Sequence, residues 1–233
     1  MAKEEKKDIL ENPEALKDKV LGVEHWIEAN PKIVIGAVVA ILLVVGGYFG
    51  YQYYVGNQNE QAQKEMFQAV RYFEKYIESG HDSLNIALNG DGNNLGFIDI
   101  VDGYGMSKAG KLANFYAGSI YMRQSKYKLG RLYLEDFSSD DLLVQARAYS
   151  LIGDSYMEEN DFGNAASFYN KAANYKPNKF FSPVYLMKEA LAYEKLNQND
   201  KAIKVYQKIV DEYWESNEIQ NAKKYKARLE SNS

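Results

Sequence analysis

The sequence predicts an all-α protein in which one helix that crosses a membrane precedes a solenoid of paired helices. Two observations support this fold class. An uncharged apolar run lies close to the N-terminus, and one spacing of small and aromatic residues occurs three times in the C-terminal half. The chain has 233 residues, which is enough for one or two domains.

Composition excludes several classes of protein. The chain has no cysteine, which excludes a disulfide scaffold, a zinc finger and a thiolate nucleophile. The two histidines, His25 and His81, are too few for a histidine-rich metal site or a histidine-based triad. The net charge of −4 provides no basic excess for phosphates, so nucleic acid is not an expected partner. We expect no metal and no cofactor.

The apolar run extends from Ile33 to Gly50 and contains only apolar residues and glycine. Extended to Val55, it would form about 34 Å of helix, enough to cross a hydrocarbon core of about 30 Å. About thirty residues precede it and bulky tyrosines follow it, which argues against a cleaved signal peptide. A buried core helix of this length would need a larger domain around it. We therefore expect a short tail at 1–32 and one membrane helix at 33–55.

Lysine distribution predicts the orientation of this helix. Residues 1–32 contain six lysines, whereas the next 32 residues after Val55 contain Lys64, Arg71 and Lys75 as their basic groups. Because positive charge is enriched on the cytoplasmic side, the N-terminus is expected in the cytoplasm and the C-terminal domain outside it.

Small residues recur within the apolar run. Gly46 and Gly50 form a GxxxG pair, and Gly36 with Ala40 forms a second pair of small residues. Such pairs let another membrane helix approach closely, although glycine is also common in membrane helices for other reasons. These four residues are candidates for helix packing in the membrane.

Residues 56–110 are expected to form a linker and leading helices. Apolar residues recur at helical spacing from Glu60 to Ser79, and Gly80 would end that helix. Two short helices are expected next, one capped by Asp82 and one around 97–101. The loop 89–94 resembles a calcium loop in composition but lacks the glycine and glutamate of an EF-hand, so a glycine-rich turn is the simpler interpretation.

The main pattern occurs at 111–233. Its clearest copy is Tyr149-x2-Ile152-Gly153-x2-Tyr156-x8-Ala165-x3-Tyr169-x2-Ala172-x4-Pro177. This is the spacing of a tetratricopeptide repeat, in which small residues let two helices approach and aromatic residues fill the space between them. The spacing recurs from Gly118 to Phe137, 35 residues earlier, and from Ala190 to Ile209, 37 residues later. A last helix from Glu218 to Leu229 would cap the solenoid.

The order of a short tail, one membrane helix and a tetratricopeptide domain resembles the YfgM-like family of bacterial inner-membrane proteins. Stretches such as Gly96-Phe97-Ile98-Asp99-Ile100 are also similar to tetratricopeptide proteins common in Bacteroidetes. The resemblance implies an ancillary subunit of the Sec translocon whose repeat domain lies in the periplasm. It implies no catalytic residues.

The first helix of each repeat is expected to line a concave groove. Methionine suits surfaces that accept varied apolar partners, so the groove predicts binding of an extended or helical protein segment. Some of these side chains could instead pack against neighbouring turns. Translating the central repeat by 35 and 37 residues predicts the following groove residues: Phe115, Ser119, Met122, Arg147, Ser150, Asp154, Met157, Met187, Leu191 and Glu194.

The sequence therefore favours a non-enzymatic function. No phosphate loop, nucleophile elbow or HExxH motif occurs, and the acidic pairs at 140–141 and 158–159 are expected to cap helices or face solvent. The protein would bind emerging secretory clients or a partner chaperone near the Sec channel. The alternative is a structural adaptor of another envelope complex with one fixed partner. Neither hypothesis includes a small-molecule substrate.

Overall fold

The computed structural model describes residues 21, 23–79 and 83–231, which contain helices and no strand. The chain divides into two compact units, Met1–Tyr54 and Val55–Ser233. Residues 1–20 and 22 of the expected tail, with five of its six lysines, and the expected helix signals at Gly80 and Asp82 lie outside the described residues.

Helix α1 extends from Pro31 to Ser79. Proline is favoured at the first position of a helix because its missing N–H has no partner there in any case. Within the unit Met1–Tyr54, large apolar side chains between Ile33 and Phe49 are exposed. A window of 18 residues has a mean hydropathy of 2.5, and none of that window is buried. The helix is therefore long and apolar enough to cross a membrane.

Within the unit Val55–Ser233, the C-terminal part of α1 packs into a core through Ala62, Met66 and Ala69. This core also includes α2 (Leu84–Asn89) and α3 (Phe97–Tyr104). The apolar spacing predicted both the amphipathic part of α1 and the two short helices. Ile77 differs from the expectation because its side chain is exposed, and Tyr76 packs against the core instead.

The loop between α2 and α3 is a turn organised by Asp91. Its Oδ1 atom accepts hydrogen bonds from the backbone N–H groups of Asn93 and Asn94, at 2.9 and 2.7 Å. Its Oδ2 atom accepts one from the Tyr72 hydroxyl, at 2.8 Å. The side-chain amide of Asn94 also donates to this carboxylate, at 2.9 Å, and it is the largest of the causes that, with these donors, hold the pKa of Asp91 well below its ordinary value. Among the described residues, no group of three or more acidic or histidine side chains could hold a metal ion.

Three helix pairs and a final helix follow. Each pair consists of a first and a second helix joined by a short turn. The pairs are α4 (Lys108–Arg123) with α5 (Tyr127–Asp136), α6 (Leu142–Glu158) with α7 (Phe162–Asn174), and α8 (Ser182–Lys195) with α9 (Asn199–Glu212); α10 (Ile219–Ser231) is the final helix.

The turn inside each pair has the same backbone conformation. Ser125, Asn160 and Asn197 occupy these turns with φ angles of 59°, 60° and 57°, and they are 35 and 37 residues apart. The connections inside the pairs are equal in length, whereas those between successive pairs and to α10 are longer and unequal (137–141, 175–181 and 213–218). The departures from a 34-residue repeat are therefore accommodated in the connections between the pairs and in the lengths of the helices, and not in the turns inside the pairs.

Small residues set the distance between paired helices. A Cβ atom added at Gly153 would lie 2.6 Å from Cε1 of Tyr169, and one at Gly118 would lie 2.6 Å from Cγ of Leu134. Both distances are far shorter than van der Waals contact, so neither position accepts a side chain without movement. The glycines in the repeated spacing thus lie where the helices pack most closely, as the pattern predicted.

Tyrosine fills much of the remaining space. Tyr121 stacks on Tyr133 with ring centroids 5.4 Å apart, and Tyr156 stacks on Phe168 at 5.6 Å. Offset aromatic pairs of this kind stabilise a fold beyond the area that they bury. The high tyrosine content is therefore used in packing between helices.

Candidate functional site

The first helices of the three pairs line a concave groove of about 670 Å³. Phe73 of α1 and Tyr169 of α7 complete its wall. The groove contains most of the residues that the repeat translation predicted: Phe115, Ser119, Met122, Arg147, Asp154, Met157 and Leu191.

A second concavity, of about 570 Å³, lies beside α10, and we call it the cap hollow. It contains the predicted residues Met187 and Glu194, together with Tyr225 and Arg228 of α10. Leu191 lines both the groove and the cap hollow, so the two concavities adjoin.

Ser150 does not line either surface. Its side chain is completely buried, and its Oγ lies 3.3 Å from the Nζ atom of Lys188. The prediction that Ser150 contributes groove surface is therefore wrong. On a helix, neighbouring positions differ by about 100° in direction, so a small error in the assigned face places a buried residue at the surface.

Two predicted groove residues also pack within the first helix pair. The Phe115 ring lies 5.4 Å from the Phe137 ring, centroid to centroid. Met122 covers Gly130, where an added Cβ atom would lie 2.9 Å from the methionine Cγ. Both side chains therefore take part in packing as well as lining the groove, which is the alternative that the sequence left open. Because Gly130 has no side chain, the pair needs a large residue such as Met122 opposite it.

Apolar surface nevertheless remains open in the groove. Leu191 is 45% exposed, and Met157 is half-buried. Ser119 is nearly buried, and its hydroxyl has no hydrogen-bond partner among the described residues. The groove therefore offers apolar contacts, and the unpartnered hydroxyl of Ser119 is buried beneath its surface.

Asp154 is the centre of the polar contacts in the groove. The Nζ atom of Lys188 lies 2.7 and 3.0 Å from its two carboxylate oxygens, and the Tyr169 hydroxyl donates to Oδ1 at 2.7 Å. Burial, the negative charge of Asp154 and this hydrogen bond raise the pKa of Tyr169. The tyrosine therefore stays neutral, and its hydroxyl remains a donor that holds the carboxylate in place.

The groove is more basic than the sequence indicated. Arg123 and Lys188 line it beside Arg147, which was the one basic residue predicted there. Arg123 lies over the Tyr76 ring, with its Cζ atom 5.6 Å from the centroid. Arg147 is exposed and forms no ion pair with any described residue. Lys188 could have been found by its position 34 residues after Asp154. Phe73 belongs to the helical spacing of residues 60–79, outside the repeats, so the repeat spacing did not place it in the groove.

The cap hollow contains a similar arrangement. The Tyr206 hydroxyl donates to Oε1 of Glu194 at 2.7 Å, and Arg228 forms an ion pair with the same carboxylate. Arg228 follows Glu194 by 34 residues, as Lys188 follows Asp154. In both places, an acidic residue accepts a hydrogen bond from a tyrosine of the same helix pair and forms an ion pair with a basic residue of the next helical unit. Glu194 is thus already engaged in contacts within the chain.

Comparison with protein families identifies the helix pairs. Sequence models of the tetratricopeptide repeat match residues 146–179 and 185–216, which cover most of the second and third pairs. The first pair has the same glycine contact and the same turn conformation. No curated protein sequence matches the chain. The chain therefore carries tetratricopeptide repeats, a class of repeat that generally binds other proteins and performs no catalysis.

Proposed function

We propose that this protein is a membrane-anchored binding module that holds a segment of another protein in the groove. The observation that carries this proposal is the open apolar surface of Leu191 and Met157 beside the unpaired guanidinium of Arg147. Exposed apolar patches that the fold does not need for packing usually mark interaction surfaces. An occupant with apolar side chains and an acidic group would satisfy both features.

The anchor is the N-terminal part of α1. Its apolar side chains face outwards in the unit Met1–Tyr54, and the lysine-rich residues 1–32 favour a cytoplasmic N-terminus. We place the repeat domain on the opposite side of the membrane. In a bacterium, this corresponds to an inner-membrane protein with a periplasmic repeat domain.

The resemblance to the YfgM-like family supports a specific location, beside the Sec translocation channel. The protein would act there as an ancillary subunit that binds emerging or folding secretory clients, or a partner chaperone. Flexible methionine side chains suit such varied clients because they adapt to different apolar surfaces. Met157 and Met187, both half-buried, would serve this role.

A second candidate is an adaptor with one fixed partner. The ion pair between Lys188 and Asp154, whose closest atoms are 2.7 Å apart, holds both side chains in one arrangement before any partner binds. A pre-organised polar surface favours one complementary partner, because little ordering is required on binding. The two candidates differ in the number of proteins that the groove captures.

Site-specific photo-crosslinking in living cells tests both candidates. A photoreactive amino acid replaces Leu191 in the full chain, and the control replaces Leu132, an exposed leucine of α5 that does not line the groove. Crosslinks from position 191 to many secretory proteins would support client binding, and crosslinks to one protein would support the adaptor. Equal crosslinking from both positions would show that the groove is not the binding surface.

A reporter that is active only outside the cytoplasm tests the orientation. We expect activity when this reporter follows Ser233. Activity of a cytoplasmic reporter alone at that position would exclude a role in secretion at the periplasmic face.

The small residues of the apolar segment provide a further proposed contact. A Cβ atom added at Gly36, Gly46 or Gly50 meets no other atom within 4 Å, so these positions, with Ala40, can receive a second membrane helix. Gly46→Ile with Gly50→Ile should reduce co-purification of a membrane partner in mild detergent. Gly47→Ile is the control, because Gly47 is equally open but points in another direction. Equal co-purification of both variants would exclude pairing through this motif.

A further inference from the structure

Exposed apolar side chains of the repeat domain concentrate on one edge. The connections that precede the first helix of each pair and α10, together with the first turn of α6, contain Met106, Leu142, Leu143, Phe180, Phe181 and Trp214, all of them exposed. We call this set the apolar edge. Phe180 and Trp214 are the most open of them, at 69% and 65% exposure.

Polar contacts show that these connections adjoin one another. The Tyr175 hydroxyl donates to the carbonyl oxygen of Ser139 at 2.8 Å, which joins the second connection to the third. Lys179 forms an ion pair with Glu215 at 3.3 Å, which joins the third to the one before α10. Lys108 shares a concavity with Asp140 at the other end of the row. The apolar side chains therefore follow one continuous edge of the solenoid.

The opposite edge has a different character. It consists of the turns inside the pairs (124–126, 159–161 and 196–198) and the first turns of the helices that follow them, where Leu129 is the one exposed large apolar side chain among the described residues. If exposed apolar residues were scattered at random, the two edges would contain similar numbers of them. The asymmetry indicates that the apolar edge faces something other than water.

The position of Asn59 indicates what the apolar edge faces. The backbone N–H of Ala109, at the start of α4, donates to Oδ1 of Asn59 at 2.9 Å. Asn59 follows Val55, the expected end of the membrane segment, by four residues, or about 6 Å of helix. The first connection of the row contains Met106, and the hydrogen bond to Asn59 therefore holds this connection near the residue at which the apolar segment ends.

We propose that the apolar edge lies against the membrane interface, in contact with the lipid bilayer that the chain's own apolar segment enters. Tryptophan is suited to this region because its ring has an apolar body and a polar N–H, and phenylalanine can enter the boundary of the acyl chains beside it. The lysines on this edge are accompanied by acidic residues such as Glu215, so binding does not require anionic lipid. Because the domain is tethered, its local concentration at the bilayer is high and a weak contact suffices.

Fluorescence of Trp214 tests the proposal directly. The full chain with Trp26→Phe retains Trp214 as its one tryptophan. It is placed in phosphatidylcholine nanodiscs, with or without bromine on the acyl chains. We expect a blue-shifted emission that brominated lipid quenches. The matched control carries Trp26→Phe, Trp214→Phe and Gln198→Trp, which moves the probe to the opposite edge, and its emission should not be quenched.

Two results would overturn the proposal. Equal emission of Trp214 in brominated and ordinary lipid would mean that the edge does not touch the bilayer. A blue shift without quenching, which grows with the ratio of protein to lipid, would mean that a second copy of the chain covers the edge. The variant Phe180→Glu should reduce the quenching of Trp214, because a carboxylate is costly to bring against lipid. Circular dichroism of each variant checks that the helices are intact.

Discussion

Lys188 and Asp154 join the second and third helix pairs through an ion pair with a closest distance of 2.7 Å. The orientation of the Asp154 carboxylate is fixed further, because it also accepts a hydrogen bond from the Tyr169 hydroxyl at 2.7 Å. Neighbouring units of a solenoid depend on such contacts for stability, since each unit touches only the next. The pair therefore contributes to the stack and also forms part of the groove surface.

Asp154→Ala should lower the free energy of unfolding by about 1–3 kcal/mol, because it leaves the buried Tyr169 hydroxyl without an acceptor and Lys188 without its partner. Thermal denaturation of the full chain in detergent, followed by circular dichroism, measures the change. Glu158→Ala, which removes an exposed acid from the same groove, is the control and should have little effect. Equal melting of Asp154→Ala and the unsubstituted protein would contradict this role.

Gly153→Ala should destabilise the repeat domain by about 1–3 kcal/mol, the usual cost of overpacking a core. The added methyl group would lie 2.6 Å from the Tyr169 ring, so the two helices must move apart, and Gly153→Leu should be worse. Gly163→Ala is the control, because the nearest atom to its added Cβ is 3.9 Å away. If both alanine variants melt alike, the close approach at Gly153 is not a determinant of stability.

Replacing Met157 and Leu191 together by lysine should weaken capture of partner segments while the fold is retained. A lysine ammonium group is costly to desolvate against apolar side chains, and both positions are open in the groove. Met122 is not suitable for this test, because it packs over Gly130. The measurement is the set of proteins that co-purify with each variant, with Leu132→Lys as the matched control. Unchanged capture by the double variant would exclude the groove as the binding surface.

Asp91→Asn should destabilise the junction of α1, α2 and α3 at neutral pH. The pKa of Asp91 is lowered in the folded protein, so its contribution is fully present above its ordinary pKa of 3.8 and declines as the pH falls below that value. The difference in melting temperature between the unsubstituted protein and the variant should therefore be constant from pH 7 to about pH 5 and become smaller as the pH falls below the ordinary pKa of 3.8. A difference that stays constant below that pKa as well would show that the charge of Asp91 is not responsible.

The repeat architecture could be predicted because it depends on a few positions with fixed spacing. Gly118, Gly153 and Ala190 recur at 35 and 37 residues because each lies where two helices pack closely. A contact that admits no larger side chain restricts the sequence strongly, and such a restriction is visible in one chain.

The groove could be predicted only in outline. Its apolar positions follow from the repeat spacing, but Ser150 is buried and Phe115 takes part in helix packing. These differences arise because the part of a helix face that its neighbours cover depends on the size of the residues that lie opposite. The repeat spacing alone does not give those sizes. The repeat spacing did not place Arg123 in the groove. Its side chain lies over the rings of Phe73 and Tyr76 in α1, and the repeat pattern contains no equivalent of this contact.

The constant turns at Ser125, Asn160 and Asn197 have a consequence for how the chain tolerates insertions. A left-handed backbone residue closes each turn, so an added residue there would change the angle between the paired helices. The connections at 137–141, 175–181 and 213–218 already differ in length while the helices continue to stack. Because doubling a loop costs only about 0.6 kcal/mol in closure entropy, new sequence can enter on that side without loss of the fold. Natural variation in length should therefore lie between the helix pairs.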